Sequence, residues 1–325
     1  IFCKNYVIFA PVKAQVTIST GSNAVVKTLE DSPRILNCRV KGNFRIKGIR
    51  TTNPVAVGDI VEVQETGDDY NYITAIEPRR NYIIRRASNL SKESHIIAAN
   101  LDRAMLIVTL AHPTTSTTFI DRFLATAEAY RVPVTIVINK IDLLDEDGRE
   151  LQKAVEYLYN SIGYDTIAVS AKTGEGIDRL REMLIGHITL FSGNSGVGKT
   201  TLINDLIPGL GLRTGAISAI HDTGMHTTTF SEMFDLPGHP GSYIIDTPGV
   251  KGFGTIDFDV HEVAHYFPEI FETGRNCRYS NCTHTHEPGC AVREALEENR
   301  IAQSRFNSYL SILEDTTPDK YRKPY

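Results

Sequence analysis

The chain has 325 residues, which is long enough for two or three domains that each bury their own core. Hydrophobic residues make up 41% of it and charged residues 22%, a balance that excludes a fibrous or wholly disordered protein. No apolar run approaches the roughly 18 residues that a membrane span needs, so we expect no membrane association. Five cysteines, three of them clustered near the end, are too few for a disulfide framework and indicate a metal site in a reducing compartment, the cytoplasm.

The first residues do not have the pattern of a folded domain. Ile1 to Ala10 is apolar, but its apolar core is too short and its cleavage pattern too poor for a secretion signal. We therefore interpret residues 1–13 as a lead segment that is disordered or artefactual.

Residues 14–80 have the pattern of a small β-barrel. Short apolar runs are separated by turn sequences such as Gly21-Ser22-Asn23 and Gly67-Asp68-Asp69. About five strands at this spacing predict a closed barrel, for which an OB fold fits best and an SH3-like barrel almost as well. The predicted strands contain residues 16–18, 24–26, 35–36, 60–63 and 72–76.

The net charge of −5 is unevenly distributed. Basic residues outnumber acidic ones over residues 1–86, whereas acidic residues dominate the rest. A basic barrel suggests a polyanionic partner such as RNA. Arg34, Arg39, Lys41, Arg45 and Lys47 are the candidate contacts. A solvated basic face without a partner explains the charge equally well.

Residues 81–254 have the alternating pattern of an α/β domain. Continuous apolar strands separated by amphipathic helices predict a mostly parallel, doubly wound sheet. The predicted strands are 105–110, 134–139, 166–170, 188–192 and 243–246, and the predicted helices are 119–130, 149–162, 177–184 and 199–206.

A phosphate-binding loop follows the strand that ends at Ser192 and opens the next helix. Its residues match the pattern G-x-x-x-x-G-K-[ST], in which glycines let backbone N–H groups surround phosphates at a helix N-terminus. Lys199 is expected to contact the β- and γ-phosphates and to act in catalysis, while Thr200 is expected to bind Mg²⁺. The loop consists of Gly193, Asn194, Ser195, Gly196, Val197, Gly198, Lys199 and Thr200.

Asp246-Thr247-Pro248-Gly249 follows a later strand, about 50 residues after the phosphate-binding loop. In such a position Asp246 would bind Mg²⁺ through water, and the Gly249 N–H would sense the γ-phosphate. The same four-residue pattern is a common turn, so its meaning depends on the phosphate-binding loop before it.

A guanine-reading element is predicted at the end of the 134–139 strand. A carboxylate at Asp142 can accept hydrogen bonds from both N1–H and the exocyclic amine of guanine, a donor pair that adenine lacks. Asn139 would tie this loop to the phosphate-binding loop, and the stem of Lys140 would lie on the base. Ser170-Ala171-Lys172, after the next strand, would complete the pocket, with the Ala171 N–H meeting guanine O6.

The order of these motifs is unusual. In ordinary GTPases the phosphate-binding loop comes first and the base-reading motifs come last. Here the base-reading motifs come first, and the phosphate-binding loop and Asp246 follow. The sheet can stay the same if the old termini are joined near Gly186-His187, so the sequence predicts a circularly permuted GTPase.

A metal cluster is predicted near the end of the chain. Cys277, Cys282, His284 and Cys290 form a Cys₃His set within a short stretch, which is typical of a closed structural zinc site. His286 is the alternative fourth ligand. We therefore expect one structural Zn²⁺ in a mainly α-helical domain over residues 255–325.

With these motifs in view, the chain from about Ala14 to Leu313 resembles the ribosome small-subunit-dependent GTPase A family. The resemblance implies an N-terminal OB barrel, a permuted GTPase domain and a C-terminal zinc domain. It further implies slow, Mg²⁺-dependent GTP hydrolysis that the 30S ribosomal subunit stimulates during its late maturation, with contacts to 16S rRNA. Thr200 and Thr201 stand where the family often has Ser, and Thr binds Mg²⁺ as Ser does. We also expect a monomer.

The segment between the phosphate-binding loop and Asp246 should contain the first switch. Thr227 or Thr228 is expected to close on Mg²⁺ and the γ-phosphate, and Val250 stands where Ras-like enzymes have a water-orienting Gln. His226 is therefore the candidate for orienting water, which the resemblance supports. A surface histidine without a catalytic role is the alternative.

Two other functions compete with this interpretation. One is a permuted GTPase that acts on the large ribosomal subunit, although such proteins generally lack this pairing of barrel and Cys₃His cluster. The other is a nucleotide-gated RNA-binding module with negligible turnover, which the Val250 position leaves open.

Overall fold

The computed structural model describes residues 10–21, 23–40, 54–66, 70–86, 94–212, 231–247 and 258–316. They form a five-stranded barrel, a six-stranded α/β sheet and a helical C-terminal unit. None of the helices in these ranges combines the length and the apolarity that crossing a bilayer requires.

The N-terminal barrel is built from the alternating runs of the sequence. Its strands are β1 (Val12–Ser19), β2 (Asn23–Thr28), β3 (Ile35–Val40), β4 (Ile60–Gln64) and β5 (Asn71–Ile76). They are ordered β1-β2-β3-β5-β4, and an antiparallel β1–β4 pair closes the barrel. Every second side chain of β2 and β4 is buried, and Val16, Val26, Val61 and Ile73 are fully buried. The predicted OB-like barrel is confirmed, with β1 beginning at Val12.

A hairpin of β6 (Tyr82–Arg86) and β7 (Ser94–Ala99) follows the barrel, and the sequence pattern did not reveal it. It lies against the barrel through a bridge between Val57 and Ala98. Beside it, the buried Arg79 guanidinium pairs with the Asp59 carboxylate at 2.6 Å. The hairpin thus fills the junction between the barrel and the α/β domain.

The central domain alternates strands and helices as predicted. In chain order these are β8 (Arg103–Val108), α1 (Thr117–Ala129), β9 (Val134–Ile138), α2 (Glu146–Ser161), β10 (Asp165–Ala168), α3 (Ile177–Leu184), β11 (Ile188–Ser192), α4 (Lys199–Leu206), β12 (Glu232–Asp235) and β13 (Tyr243–Asp246). The sheet order is β10-β9-β8-β11-β13-β12, and all of its neighbours are parallel except β12 and β13. Helices cover both faces of the sheet, which explains why β9 is buried along its whole length.

Strand β12, which was not predicted, joins the two sheets. It pairs antiparallel with β1 of the barrel, with Ile18 opposite Glu232. An ion pair of 2.6 Å between Lys27 Nζ and Asp235 Oδ1 reinforces the contact. The barrel is therefore attached directly to the edge of the α/β sheet.

The C-terminal unit is helical, as predicted. It contains a 3₁₀-helix (Val263–Tyr266), α5 (Pro268–Gly274), α6 (Ala291–Glu297) and α7 (Gln303–Thr316). Its core includes Phe267, Ile270, Val292 and Ile312, and the buried Ala125 of α1 packs into the same cluster. The unit thus shares a core with the α/β domain.

Candidate functional site

The predicted nucleotide-binding motifs meet at one edge of the sheet. Each follows the carboxyl end of a strand: Asn139 follows β9, Ser170 follows β10, and Gly193 follows β11. In a parallel sheet these ends lie on the same side, where open α/β sheets bind their ligands. Residues 23 to 54 positions apart in the sequence therefore contribute to one site.

The phosphate-binding loop depends on glycine at two positions. Gly193 has φ 151° and Gly198 has φ 93°, in the region that L side chains rarely adopt. A Cβ atom on Gly193 would lie 2.3 Å from the Ile107 carbonyl oxygen, and one on Gly198 would lie 2.4 Å from Asn139 Nδ2. Larger residues would push the loop away from both neighbouring strand ends.

Lys199 opens α4 and folds back over the loop. Its side-chain ammonium donates to the Gly193 and Asn194 carbonyl oxygens at 2.7 and 2.9 Å. Burial lowers the pKa of this group, while the nearby Asp246 carboxylate opposes the shift. The ammonium thus lies inside the concave side of the loop, where a phosphate would contact it.

Asp246 ends β13 beside Lys199. Burial raises its pKa to about 6, against the opposing effects of the Lys199 charge and the Thr247 backbone. Its Oδ1 atom is buried and has no hydrogen-bond partner in the part of the chain that the structure describes. A buried carboxylate oxygen of this kind fits a hydrated Mg²⁺, because the ion would supply the missing partner. Thr200 is half-buried next to Lys199, whereas Thr201 is exposed.

The predicted guanine-reading residues are held by hydrogen bonds between loops. Asn139 donates from Nδ2 to the Val197 carbonyl oxygen at 2.8 Å, as expected for a link to the phosphate-binding loop. The buried Ser170 hydroxyl donates to Asp142 Oδ1 at 2.7 Å, which fixes the carboxylate. Lys172 is exposed, and its Nζ lies 3.9 Å from Asp142 Oδ2. Ala171, between Ser170 and Lys172 in the sequence, is half-buried.

Four predicted site residues lie outside the described ranges. They are His226, Thr227, Thr228 and Gly249. Their expected roles in switching, Mg²⁺ binding and water orientation remain predictions from the sequence.

One wall of the site was not identified by the sequence motifs. The loop of residues 109–115, after β8, accepts a hydrogen bond from Lys140, and its Pro113 lies beside Gly196 of the phosphate-binding loop. It carries no recognised motif. Only its position after a parallel strand, at the same edge as the other loops, could have indicated its role.

The Cys₃His residues form a compact cluster. One ligand atom from each of Cys277, Cys282, His284 and Cys290 lies within 4.8 Å of all the others. His284 Nδ1 is 3.6 Å from Cys277 Sγ and 3.5 Å from Cys290 Sγ, and the two sulfurs are 3.9 Å apart. A tetrahedral Zn²⁺ with its usual bond lengths would give edges of about 3.5 Å (N–S) and about 3.8 Å (S–S). The three distances among Cys277, His284 and Cys290 therefore match the edges of a tetrahedral metal site, and Cys282 lies near enough to be the fourth ligand.

The structure also distinguishes the two candidate histidines. His284 is buried and faces the thiols, whereas His286 is exposed and its Nδ1 lies 2.8 Å from the Thr285 hydroxyl. The Glu287 carboxylate accepts hydrogen bonds from the backbone N–H groups of Thr283, Thr285 and His286. This carboxylate shapes the loop so that His284, and not His286, joins the cluster.

Comparison with known proteins agrees with this architecture. The sequence profile of a family described as RsgA GTPase matches residues 76–256, and that of the RsgA N-terminal domain matches residues 15–73. A Small ribosomal subunit biogenesis GTPase RsgA of Bacteroides fragilis (strain YCH46) is 60% identical over 313 residues, covering 96% of this chain and 100% of that protein.

Two solved structures resemble the whole fold. YjeQ from Thermotoga maritima matches with a TM-score of 0.75 and 32% identity, over 96% of this chain and 100% of that one. YloQ, a circularly permuted GTPase, matches with a TM-score of 0.71 and 26% identity over 100% of both chains. Because the GTPase profile spans more than half of the sequence and the sites have the geometry described above, the chain belongs to the RsgA GTPase family.

Proposed function

We propose that the protein hydrolyses GTP, with Mg²⁺, as an assembly factor in late maturation of the small ribosomal subunit. The observation that carries the nucleotide part is the Asp142–Ser170 bond, which presents a fixed carboxylate to guanine at the edge where Lys199 and Asp246 lie. The subunit is suggested by relatives that are named for small ribosomal subunit biogenesis.

Each residue at the site has a proposed role. Lys199 stabilises charge that develops between the β- and γ-phosphates, while Thr200, Thr228 and Asp246 bind Mg²⁺ directly or through water. Bound Mg²⁺ would neutralise the phosphate oxygens. Gly249 senses the γ-phosphate, and His226 orients the attacking water. The base contacts are Asn139, Lys140, Asp142, Ser170, Ala171 and Lys172, and the phosphate contacts extend from Gly193 to Thr201.

Phosphate release under multiple turnover is the direct test of this function. We expect release from GTP and not from ATP, increased by purified 30S subunits and not by 50S subunits. Lys199→Ala should reduce the release to background, because the transition state loses a preorganised charge. Lys153→Ala, an exposed lysine on α2, is the matched control and should leave the rate unchanged.

Other outcomes would favour the competing functions. Stimulation by 50S subunits would favour a factor of the large subunit. Release of no more than one phosphate per chain, with or without subunits, would favour a nucleotide-gated RNA-binding module.

The barrel is the proposed contact with 16S rRNA. The Arg39 guanidinium lies 3.8 Å from the centre of the Tyr70 ring, which is partly exposed, and such a pair can stack on an unpaired base. Arg34 is a weaker candidate than its charge suggests, since it donates two hydrogen bonds to the Glu65 carboxylate. Lys41, Arg45 and Lys47 lie outside the described residues.

The Cys₃His cluster is proposed to bind one structural zinc ion per chain. Four protein ligands leave no open position, which is the arrangement of structural and not of catalytic zinc. We also propose that the protein is cytoplasmic, where thiols stay reduced, and that it is a monomer.

Cys282→Ser should remove the zinc and destabilise the C-terminal unit, because binding of a structural metal contributes directly to folding. Elemental analysis of protein purified without chelator should give one zinc per chain for the wild type and close to none for the variant. Cys38→Ser, which changes a buried cysteine of the barrel, is the control and should keep its zinc. A wild-type protein without zinc would contradict the proposal.

A further inference from the structure

The loop of residues 109–115 forms a closed unit of its own. The buried Thr109 N–H donates to Thr115 Oγ1 at 3.1 Å, and the Thr115 N–H donates to the Thr109 carbonyl oxygen at 2.8 Å. The Thr109 hydroxyl donates in turn to the Pro113 carbonyl oxygen. These bonds, which we call the threonine clamp, fix the backbone between the two threonines.

The clamped loop reaches across to Lys140. The Lys140 ammonium donates to the His112 carbonyl oxygen at 2.7 Å. A Cβ atom on Gly198 would lie 3.8 Å from Lys140 Cε, and one on Gly196 would lie 3.6 Å from Pro113 Cδ. Both Lys140 and the loop therefore lie beside the phosphate-binding loop, and the side chain of Lys140 is held at its far end.

We propose that the threonine clamp positions Lys140 for the guanine base, and that Thr115 is a positioning residue for nucleotide binding. This rests on the proposed function, in which the Lys140 stem covers the base. A free lysine side chain loses rotamer entropy when a ligand orders it. The His112 carbonyl imposes that order before the nucleotide arrives, which raises affinity by preorganisation.

A double-mutant cycle on GDP affinity tests the mechanism. Thr115→Val keeps the side-chain shape but removes the acceptor of the Thr109 N–H, and we expect it to weaken GDP binding about fivefold to tenfold. Lys140→Met keeps most of the stem but cannot bond to His112, and it should weaken binding as well. Both changes break the connection that runs from the threonine clamp through the His112 carbonyl to Lys140. Adding Thr115→Val to Lys140→Met should therefore lower GDP affinity by less than about a further twofold.

Conservative and neighbouring changes provide the controls. Thr115→Ser restores the hydroxyl and should restore GDP affinity. Thr114→Val removes an exposed hydroxyl that donates to the Leu110 carbonyl oxygen at 3.3 Å and takes no part in the threonine clamp, so it should leave affinity unchanged. If Thr115→Val does not fold, Thr109→Val, which removes the bond to the Pro113 carbonyl, serves in the same cycle.

The outcomes separate this inference from the function on which it rests. If Thr115→Val lowered GDP affinity equally in the wild-type and Lys140→Met proteins, the role of Thr115 would be purely structural. That result would overturn the inference but not the proposed function. Wild-type GDP affinity in Lys140→Met would also overturn the inference, but it would leave the assignment of Lys140 to the base intact, because Met keeps most of the stem. Fluorescent-GDP titrations of the four proteins, with thermal unfolding of each nucleotide-free protein, distinguish these cases.

Discussion

Asp142→Asn is expected to lower GTP affinity by about 10²–10⁴-fold, since two hydrogen bonds to a charged group, each worth about 1.5–3 kcal/mol, are lost or made repulsive. The carboxylate accepts from both the N1–H and the exocyclic amine of guanine, whereas an Asn amide must present an N–H₂ group to one of these donors. The Ser170 hydroxyl donates to Oδ1 of Asp142 at 2.7 Å. This bond restrains the side chain at position 142, so it cannot easily turn its amide N–H₂ group away from the guanine donors.

The same substitution should also shift the preferred nucleotide from GTP to XTP. Xanthine carries a carbonyl oxygen where guanine carries its amine, and the Asn amide can donate to that oxygen. Titration with fluorescent GTP and XTP analogues should therefore show affinity moving from one to the other. Asp145→Asn, three residues away, is the matched control: Asp145 caps α2 by accepting from the Gly148 N–H, and Asn caps equally well. Unchanged GTP affinity in Asp142→Asn would show that this loop does not read the base.

The meeting of the predicted nucleotide-binding motifs at one edge of the sheet could be foreseen from the sequence. Each motif is a short run that follows an apolar strand, and parallel strands bring their carboxyl ends together whatever the order of the chain. For that reason the permutation did not obscure the site. The strand ahead of the missed 109–115 loop was predicted at 105–110 and lies at Arg103–Val108, an error of the usual size.

The features that were missed depend on distant partners. Strand β12 has only four residues with a charged one at each end, and its stability comes from β13 on one side and barrel strand β1 on the other. Neither pairing has a periodicity or spacing that a single sequence displays.

The attachment of the C-terminal unit was the least predictable feature. The Arg305 guanidinium of α7 donates to Asp121 of α1, 184 residues earlier, at 2.8 Å. It also donates to both carboxylate oxygens of Glu269 in α5, at 2.7 and 3.1 Å. Burial alone would lower the pKa of Arg305, but the two carboxylates raise it above its usual value. An arginine, an aspartate and a glutamate so far apart in sequence give no sign that they meet in a core.

Arg305→Met is expected to destabilise the protein by about 3–5 kcal/mol, the usual cost of removing one partner from a buried ion pair. Met fills much of the space beside Phe267, so the loss comes mainly from two carboxylates left without their cation. Asp121 is fully buried, and burial already raises its pKa against the opposing charge of Arg305. In the variant both Asp121 and Glu269 must bind protons or draw in water, and either response weakens the packing of α7 against α1.

Urea unfolding followed by circular dichroism, with zinc present in excess, measures this loss. Arg300→Met is the matched control, because Arg300 pairs with Glu298 at 2.6 Å but both side chains are more than half exposed. We expect that change to cost no more than about 1 kcal/mol. Adding Asp121→Asn and Glu269→Gln to Arg305→Met should recover part of the lost stability, since the uncompensated charges are then gone. If Arg305→Met unfolded at the same urea concentration as Arg300→Met, the buried cluster would not be what holds the C-terminal unit on the GTPase domain.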